Sequence, residues 1–306
     1  MLIKKGKGIF VKQARNIIRC EAAWKMGYTG KNVGVAVLDT GIFPHRDFGD
    51  RITAFADFVQ KRHMPYDDNG HGTHISGIIG GNGCDSEGNY CGVAPGCRII
   101  AVKVLDSRGN GYASSVLSGL HWIRNNKERY GIRIVNISVG SYTKKWMGEN
   151  SALVKGVNAA WDDGLTVVVA AGNNGPGSMT ITTPGISRKV ITVGCSDDYK
   201  EIDVMGSRMV DYSGRGPTGS CVLKPDIVAP GSSVISCSNR PGRYQTKSGT
   251  SMSTPLVSGA LALLLEKYPD ITNRDIKLLL RERAVDMGLP HTQQGWGLLD
   301  VERLLR

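Results

Sequence analysis

The sequence predicts an α/β protein, a single-domain fold in which a mostly parallel central sheet carries helices on both faces. Two observations lead there. Short Val- and Ile-rich runs alternate along the chain with segments of helical apolar spacing, as strand–helix–strand units do. The 306 residues, 41% hydrophobic and 21% charged, suffice for one sizeable core. The 40 glycines follow no period, which excludes repeat and collagen-like architectures and reads as tight turns and close backbone approaches.

The elements follow in order. "NVGVAVLDTG" at 32–41 is short, Val-rich and closed by Gly, a buried strand ending at Asp39. A polar, turn-rich region runs to Asn69, with Asp68 or Asn69 available to cap the helix "HGTHISGIIGG" at 71–81. "CRIIAVKVL" at 97–105 is a second strand, "ASSVLSGLHWIRNN" at 113–126 an amphipathic helix, and "IRIVNISVG" at 132–140 a third strand. "SALVKGVNAAWDDG" at 151–164 is helical, and "LTVVVAAGNNG" at 165–175 is a strand running into a glycine-rich turn. "KVITVGCS" at 189–196 is another strand. After a loop-rich part, a helix starts near Ser251, because Pro255 is tolerable only in a first turn. "NRDIKLLLRERAV" at 273–285 is a surface helix. With no repeat or linker, one domain over 25–306 behind an extension at 1–24 is the simplest organisation.

A net charge of +11 invites a nucleic-acid or membrane-surface partner. Beyond a basic N-terminus (Lys4, Lys5, Lys7, Lys12, Arg15, Arg19) the cations are scattered among acids, without an RNA-binding or zinc-finger signature. No dedicated nucleic-acid site is therefore expected. No stretch reaches the ~18 apolar residues of a membrane span; 256–265 is too short and broken by Ser258 and Gly259. The N-terminus lacks the apolar centre and cleavage site of a signal peptide, which predicts a cytoplasmic protein, or a secreted one if the sequence is a processed form. Seven cysteines at irregular spacing, without C-x-x-C, indicate neither a zinc site nor a disulfide framework. Buried free thiols are expected, with Cys84 and Cys91 placed to pair under oxidation. No oligomeric state follows from the sequence.

In parallel sheets, ligands gather at the carboxyl ends of strands, where Asp39, Ser138 and Asn173 fall. Hydrolysis by a serine needs a nucleophile, a base, a group that orients the base, and donors for the developing oxyanion. Four glycine-rich contexts offer them: Asp39 in "AVLDTGI", His71 in "DNGHGTHISG", Asn173 in "AAGNNG" and Ser251 in "SGTSMSTP". Taken singly, each has a plainer reading. Asp39 and Asn173 suit turns, Ser251 suits a helix cap, and His71 competes with His74 three residues on. "HGTH" lacks the spacing of a zinc-peptidase motif.

Together the four segments resemble those of the subtilisin-like serine proteases, the subtilases, in the same chain order. The resemblance covers about residues 20–300 and includes "GVAPGCRIIAVKVL", "NISVG", "KPDIVAPG" and "GLLDV". It implies a subtilisin-like fold, so that 25–306 is a peptidase domain acting on polypeptides through an acyl-enzyme. It implies Asp39 as orienting acid, His71 as base, Ser251 as nucleophile and Asn173 as oxyanion donor, with His74 a partly buried structural histidine. Substrate is expected as an extended strand between Ser138-Val139-Gly140 and Gly109-Asn110-Gly111. Ala170, Ala171 and Gly172, with Thr182 and Thr183, would line a primary pocket for an apolar or aromatic side chain. Met252 matches the family's oxidation-sensitive methionine, while Ser253 departs from the family's alanine. Structural calcium is expected at Asp47, with Asp85 and other ligands from the loop at 81–92. The few residues ahead of the first strand fit relatives without a folding prodomain. Three other readings compete. A pseudoprotease would lack a triad member. An α/β-hydrolase esterase would need G-x-S-x-G. A basic nucleic-acid binder would show no proteolysis.

Overall fold

The computed structural model describes residues 9–140, 148–204 and 207–306. The first elements are β1 (Ile9–Phe10), α1 (Val11–Ile17), α2 (Glu21–Lys25), β2 (Gly34–Asp39), β3 (Ile52–Asp57) and α3 (His71–Gly80). Next come β4 (Arg98–Lys103), α4 (Ala113–Tyr130), β5 (Ile132–Ile137), α5 (Ala152–Asp162), β6 (Thr166–Ala170) and β7 (Ile191–Cys195). A small ribbon of β8 (Ile202–Val204) and β9 (Ser207–Met209) precedes β10 (Ile227–Ala229), β11 (Val234–Cys237) and β12 (Tyr244–Lys247). The helices α6 (Thr250–Lys267), α7 (Asn273–Arg283), α8 (His291–Gln294) and α9 (Val301–Leu304) complete the chain.

Seven strands form one parallel sheet in the order β10-β7-β6-β5-β2-β4-β3. Every residue of β2, β6 and β7 is buried, so both faces of the sheet must be covered. Helices α3 and α6 pack on each other and on the sheet, as do α4 and α5. Helix α6 is apolar around nearly its whole circumference and buried from Met252 to Leu265, so it belongs inside the molecule rather than on its surface. The strand order runs one way from β2 to β4 and β3, and the other way from β5 to β6 and β7. The crevice between the carboxyl ends of β2 and β5 is thus a topological switch point.

Several sequence expectations shift. Strand β3 lies inside the region read as turns; it is a sheet edge, half exposed, with no apolar run to mark it. Helix α4 continues past 126 to Tyr130, with Lys127 and Arg129 at its negative end, and Gly131 (φ 61°) terminates it. His74 is completely buried, not partly. Its Nε2–H donates to the carbonyls of Val234 and Gln245, both at 3.1 Å, and burial depresses its pKa to about 3. Residues ahead of 25 join the core: Ala14, Ile18 and Ala23 are buried, and the Val301 amide donates to the Ile18 carbonyl at 2.8 Å. No helix among the described residues is long and apolar enough to cross a membrane.

Candidate active site

Strand β2 delivers Asp39 to the crevice with no solvent exposure. Its Oδ1 accepts from the Thr40 amide at 2.8 Å and from Nδ1 of His71 at 2.7 Å. Donating through Nδ1 leaves the lone pair of His71 on Nε2. The other carboxylate oxygen, Oδ2, is buried without a partner among the described residues. His71 opens α3, and Gly72 lets that helix abut the turn after β2, since a Cβ there would stand 2.2 Å from the Gly41 carbonyl oxygen.

The turn and the helix are joined by Asp67, which the sequence did not single out. Its Oδ1 accepts from the Thr40 hydroxyl and the Asn69 and Gly70 amides, and its Oδ2 from the amide and hydroxyl of Thr73. The Thr40 hydroxyl in turn accepts from the Gly72 amide at 2.9 Å. Burial alone would raise the pKa of Asp67, but the hydroxyl and amide donors outweigh it and hold the carboxyl below its ordinary value. The N-cap of α3 is Gly70 rather than either residue expected from sequence, although Asn69, one position earlier, accepts from the His71 amide through its side chain. Asp68 instead accepts from Nζ of Lys103 at 2.6 Å. Lys103, fully buried beside Asp39 in the β2–β4 register, also donates to the Thr40 carbonyl.

Ser251 is the second residue of α6, among the first amides that no helical carbonyl can accept. Its hydroxyl donates to the Ser138 carbonyl at 2.8 Å, and the Ser138 hydroxyl returns a bond to the Ser251 carbonyl at 3.1 Å. Asn136 donates to the Ser138 hydroxyl and accepts from Ser258, so one polar thread runs from the sheet interior to Ser251. Leu38 faces Ile137 across β2 and β5, so Asp39 and Ser138 lie at the next position along. Adjacent strands are about 4.8 Å apart. His71 tethered to Asp39 and Ser251 tethered to Ser138 are therefore neighbours, with the hydroxyl on a carbonyl rather than on the ring.

Asn173 follows β6. Its Oδ1 accepts from the Thr250 amide at 2.9 Å and the Thr250 hydroxyl at 3.0 Å. Two donors on one oxygen fix the amide's orientation and turn Nδ2 to the opposite side. Gly249 makes this fit possible: its φ is 131°, and a Cβ there would stand 3.0 Å from that Nδ2. Gly109, Gly111, Val139 and Gly140 border a cavity of ≈ 240 Å³, with no charged group among its described lining residues. Thr182 wedges between Gly140 and Gly172, at 2.3 and 2.5 Å from the Cβ positions those glycines lack, and its amide donates to the Ala171 carbonyl at 2.9 Å.

The expected calcium ligands meet elsewhere. Asp47 is fully buried in the turn Arg46–Phe48. Its Oδ1 accepts from the Asp85 amide at 3.1 Å and the Cys84 thiol at 3.5 Å. Its Oδ2 accepts from the Tyr244 hydroxyl at 2.9 Å and the Cys237 thiol at 3.5 Å. Burial and the Asp47 charge raise the pKa of the Cys237 thiol well above its ordinary value. A calcium cage wants six to eight oxygens, and both oxygens of Asp47 are engaged by protein donors in this structure. All seven cysteines are free, Cys91 buried and Cys84 exposed.

An acid–imidazole pair and a seryl hydroxyl, gathered at the ends of two adjacent parallel strands, form the constellation of a serine peptidase on an α/β scaffold. Residues 30–297 match the model of the subtilase family. The chain belongs to that family, the class of the subtilisin-type serine endopeptidases. It is 44% identical to serine protease AprX of Bacillus subtilis (strain 168), over 83% of this chain and 61% of that protein. With Subtilisin Savinase of Lederbergia lenta the identity is 37%, over 94% of this chain and 96% of the other. The fold is similar to that of a cold adapted subtilisin-like serine proteinase, with TM-score 0.72, 32% identity and 90% of each chain covered.

Proposed function

We propose that the chain cleaves polypeptides internally through an acyl-enzyme on Ser251. In this reading Nε2 of His71 takes the seryl proton as Oγ attacks the scissile carbonyl carbon. Asp39 holds Nδ1 protonated and stabilises the imidazolium, its buried, unpartnered Oδ2 adding to the negative charge beside the ring. The oxyanion is received by Nδ2 of Asn173 and the backbone N–H of Ser251, where the start of α6 favours negative charge. His71 then protonates the leaving amine, and a water deprotonated by the same ring frees the acid. Calcium has no part in this reading.

The observation that carries it is the 2.7 Å contact between Asp39 and His71 with Ser251 one strand over. In this reading the hydroxyl leaves the Ser138 carbonyl for the ring when substrate binds, and such catalytic bonds commonly tighten only in the substrate complex. Substrate adds as an extended strand between 138–140 and 109–111, where glycines admit a second backbone. Uncharged surroundings at Ala170, Ala171, Thr182 and Thr183 favour an apolar or aromatic residue before the cut.

A fluorophosphonate probe should label the wild type and spare Ser251→Ala, whose kcat should fall by about 10⁶-fold; labelling of the variant overturns the assignment. Asn173→Ala should lower kcat by about 10²–10³-fold with KM little changed. Dominant cleavage after Lys or Arg in a peptide-library digest would refute the pocket reading.

A further inference from the structure

Resting on the acyl-enzyme reading above, we propose that Lys247 selects for glutamate or aspartate within the first two residues after the cut. The cavity beside 109–111 and 138–140 is lined by Ala113 and Val116 of α4 and by Leu153 and Val157 of α5. The segment before the cut therefore lies over the face of the sheet that α4 and α5 cover. Ser251 heads α6, on the other face, so a chain held in the cleft and carried past Ser251 continues over α3 and α6. On that side the ladder β1-β11-β12 packs against α3, with β12 at its edge. Gln245 donates to the Gly70 carbonyl and Asn239 to the Asp67 carbonyl, both at 3.1 Å, so the β11–β12 hairpin abuts the segment leading into His71. Lys247 is the last residue of β12 and half-buried.

Val234 stands directly across the ladder from Lys247 and is fully buried. Opposite residues of an antiparallel pair project to the same side, so the Lys247 side chain leaves the hairpin toward α3. Its charge is felt there. It adds to the burial that depresses the pKa of His74, and the carboxylates of Asp39 and Asp67 act on Lys247 in turn. Neither pairs with it: Asp67 is taken by five other donors, Asp39 by Thr40 and His71, and Lys247 has no ion pair among the described residues. Burial lowers the pKa of Lys247, and the two carboxylates offset this only in part. A half-desolvated ammonium without a counterion gains by meeting a carboxylate, and the departing segment can supply one. The hairpin itself offers no competitor, since no acid occurs between 231 and 265 and its turn adds the exposed Arg240 and Arg243. A substrate lysine would find only like charge along the hairpin.

The test measures kcat/KM at low ionic strength on peptides that share one acyl half and carry Glu, Gln or Lys at the first or second position after the cut. Attraction of one charge and repulsion of the other are each worth about threefold for a partly exposed pair, so the wild type should favour Glu over Lys about tenfold at one of the two positions. Lys247→Met should bring that ratio to within about twofold, and Lys247→Glu should invert it. Each ratio is taken within one enzyme, so a general loss of activity cancels. If Lys247→Glu fails to fold, Lys247→Met decides. A wild-type ratio near one at both positions overturns the proposal, as does a preference for Glu that survives in Lys247→Met. An anilide of the same acyl half, with no departing peptide, separates the two readings. Its hydrolysis by a wild type that ignores Glu sinks the role of Lys247 alone, and no hydrolysis of it sinks the acyl-enzyme as well.

Discussion

Asp67 holds the largest share of the site's geometry in a single side chain. Five donors converge on it from the turn after β2 and the start of α3. Asp67→Asn would aim an NH₂ at donors, so a loss of about 2–3 kcal/mol is expected in chemical denaturation. A kcat that falls more than KM rises should accompany it, because His71 moves with the helix. The carboxyl's lowered pKa means its contribution is full above the ordinary carboxylate range and fades as pH drops through the folded value. Ser253 works in the other direction. Its hydroxyl is buried without a partner among the described residues, in a niche that only a glycine at 231 leaves open. Ser253→Ala should stabilise by about 1 kcal/mol, raising Tm by about 2 °C. Asp39, His71, Asn173 and Ser251 were legible only together, because their four glycine-rich segments resemble those of the subtilases in the same chain order, while each alone suits a turn, a cap or a structural histidine. Lys103 and Asn136 were not legible, because Thr40 and Asp68 reach the one and Ser258 the other from distant segments, and Asp67, whose donors are mostly local, reads in the sequence like any turn aspartate.

Among the elements, α3 carries a built-in acid sensitivity. His74 is held neutral by burial, with a pKa of about 3 against an ordinary value of 6.5. Between those values the unfolded chain binds a proton that the folded chain refuses, so stability falls as pH falls through that window. The slope is at most about 1.4 kcal/mol per pH unit. Thermal midpoints of the Ser251→Ala protein between pH 7 and pH 4 should show this slope, and His74→Gln should flatten it. Strands buried on both faces declared themselves as apolar runs, so β2, β4, β5, β6 and β7 could be read directly. The edge strand β3 and the short β10 could not, since one is half exposed and the other only three residues long.

Across the whole molecule, the net charge of +11 should act at a distance. The screening length shrinks from about 30 Å at 0.01 M salt to about 10 Å at 0.1 M. Over that range kcat/KM for an acidic peptide should drop several-fold, while a neutral peptide of the same length stays within about twofold. Loss of that difference would mean the cations are too dispersed to steer. The bond between Thr250 and Asn173 has another consequence. The attacking oxygen and the amide that would receive the charge are keyed to one peptide unit at the head of α6, so neither can drift while the other stays true. Heat should accordingly disable copies one by one: active-site titration should count fewer working molecules, each turning over at its original speed.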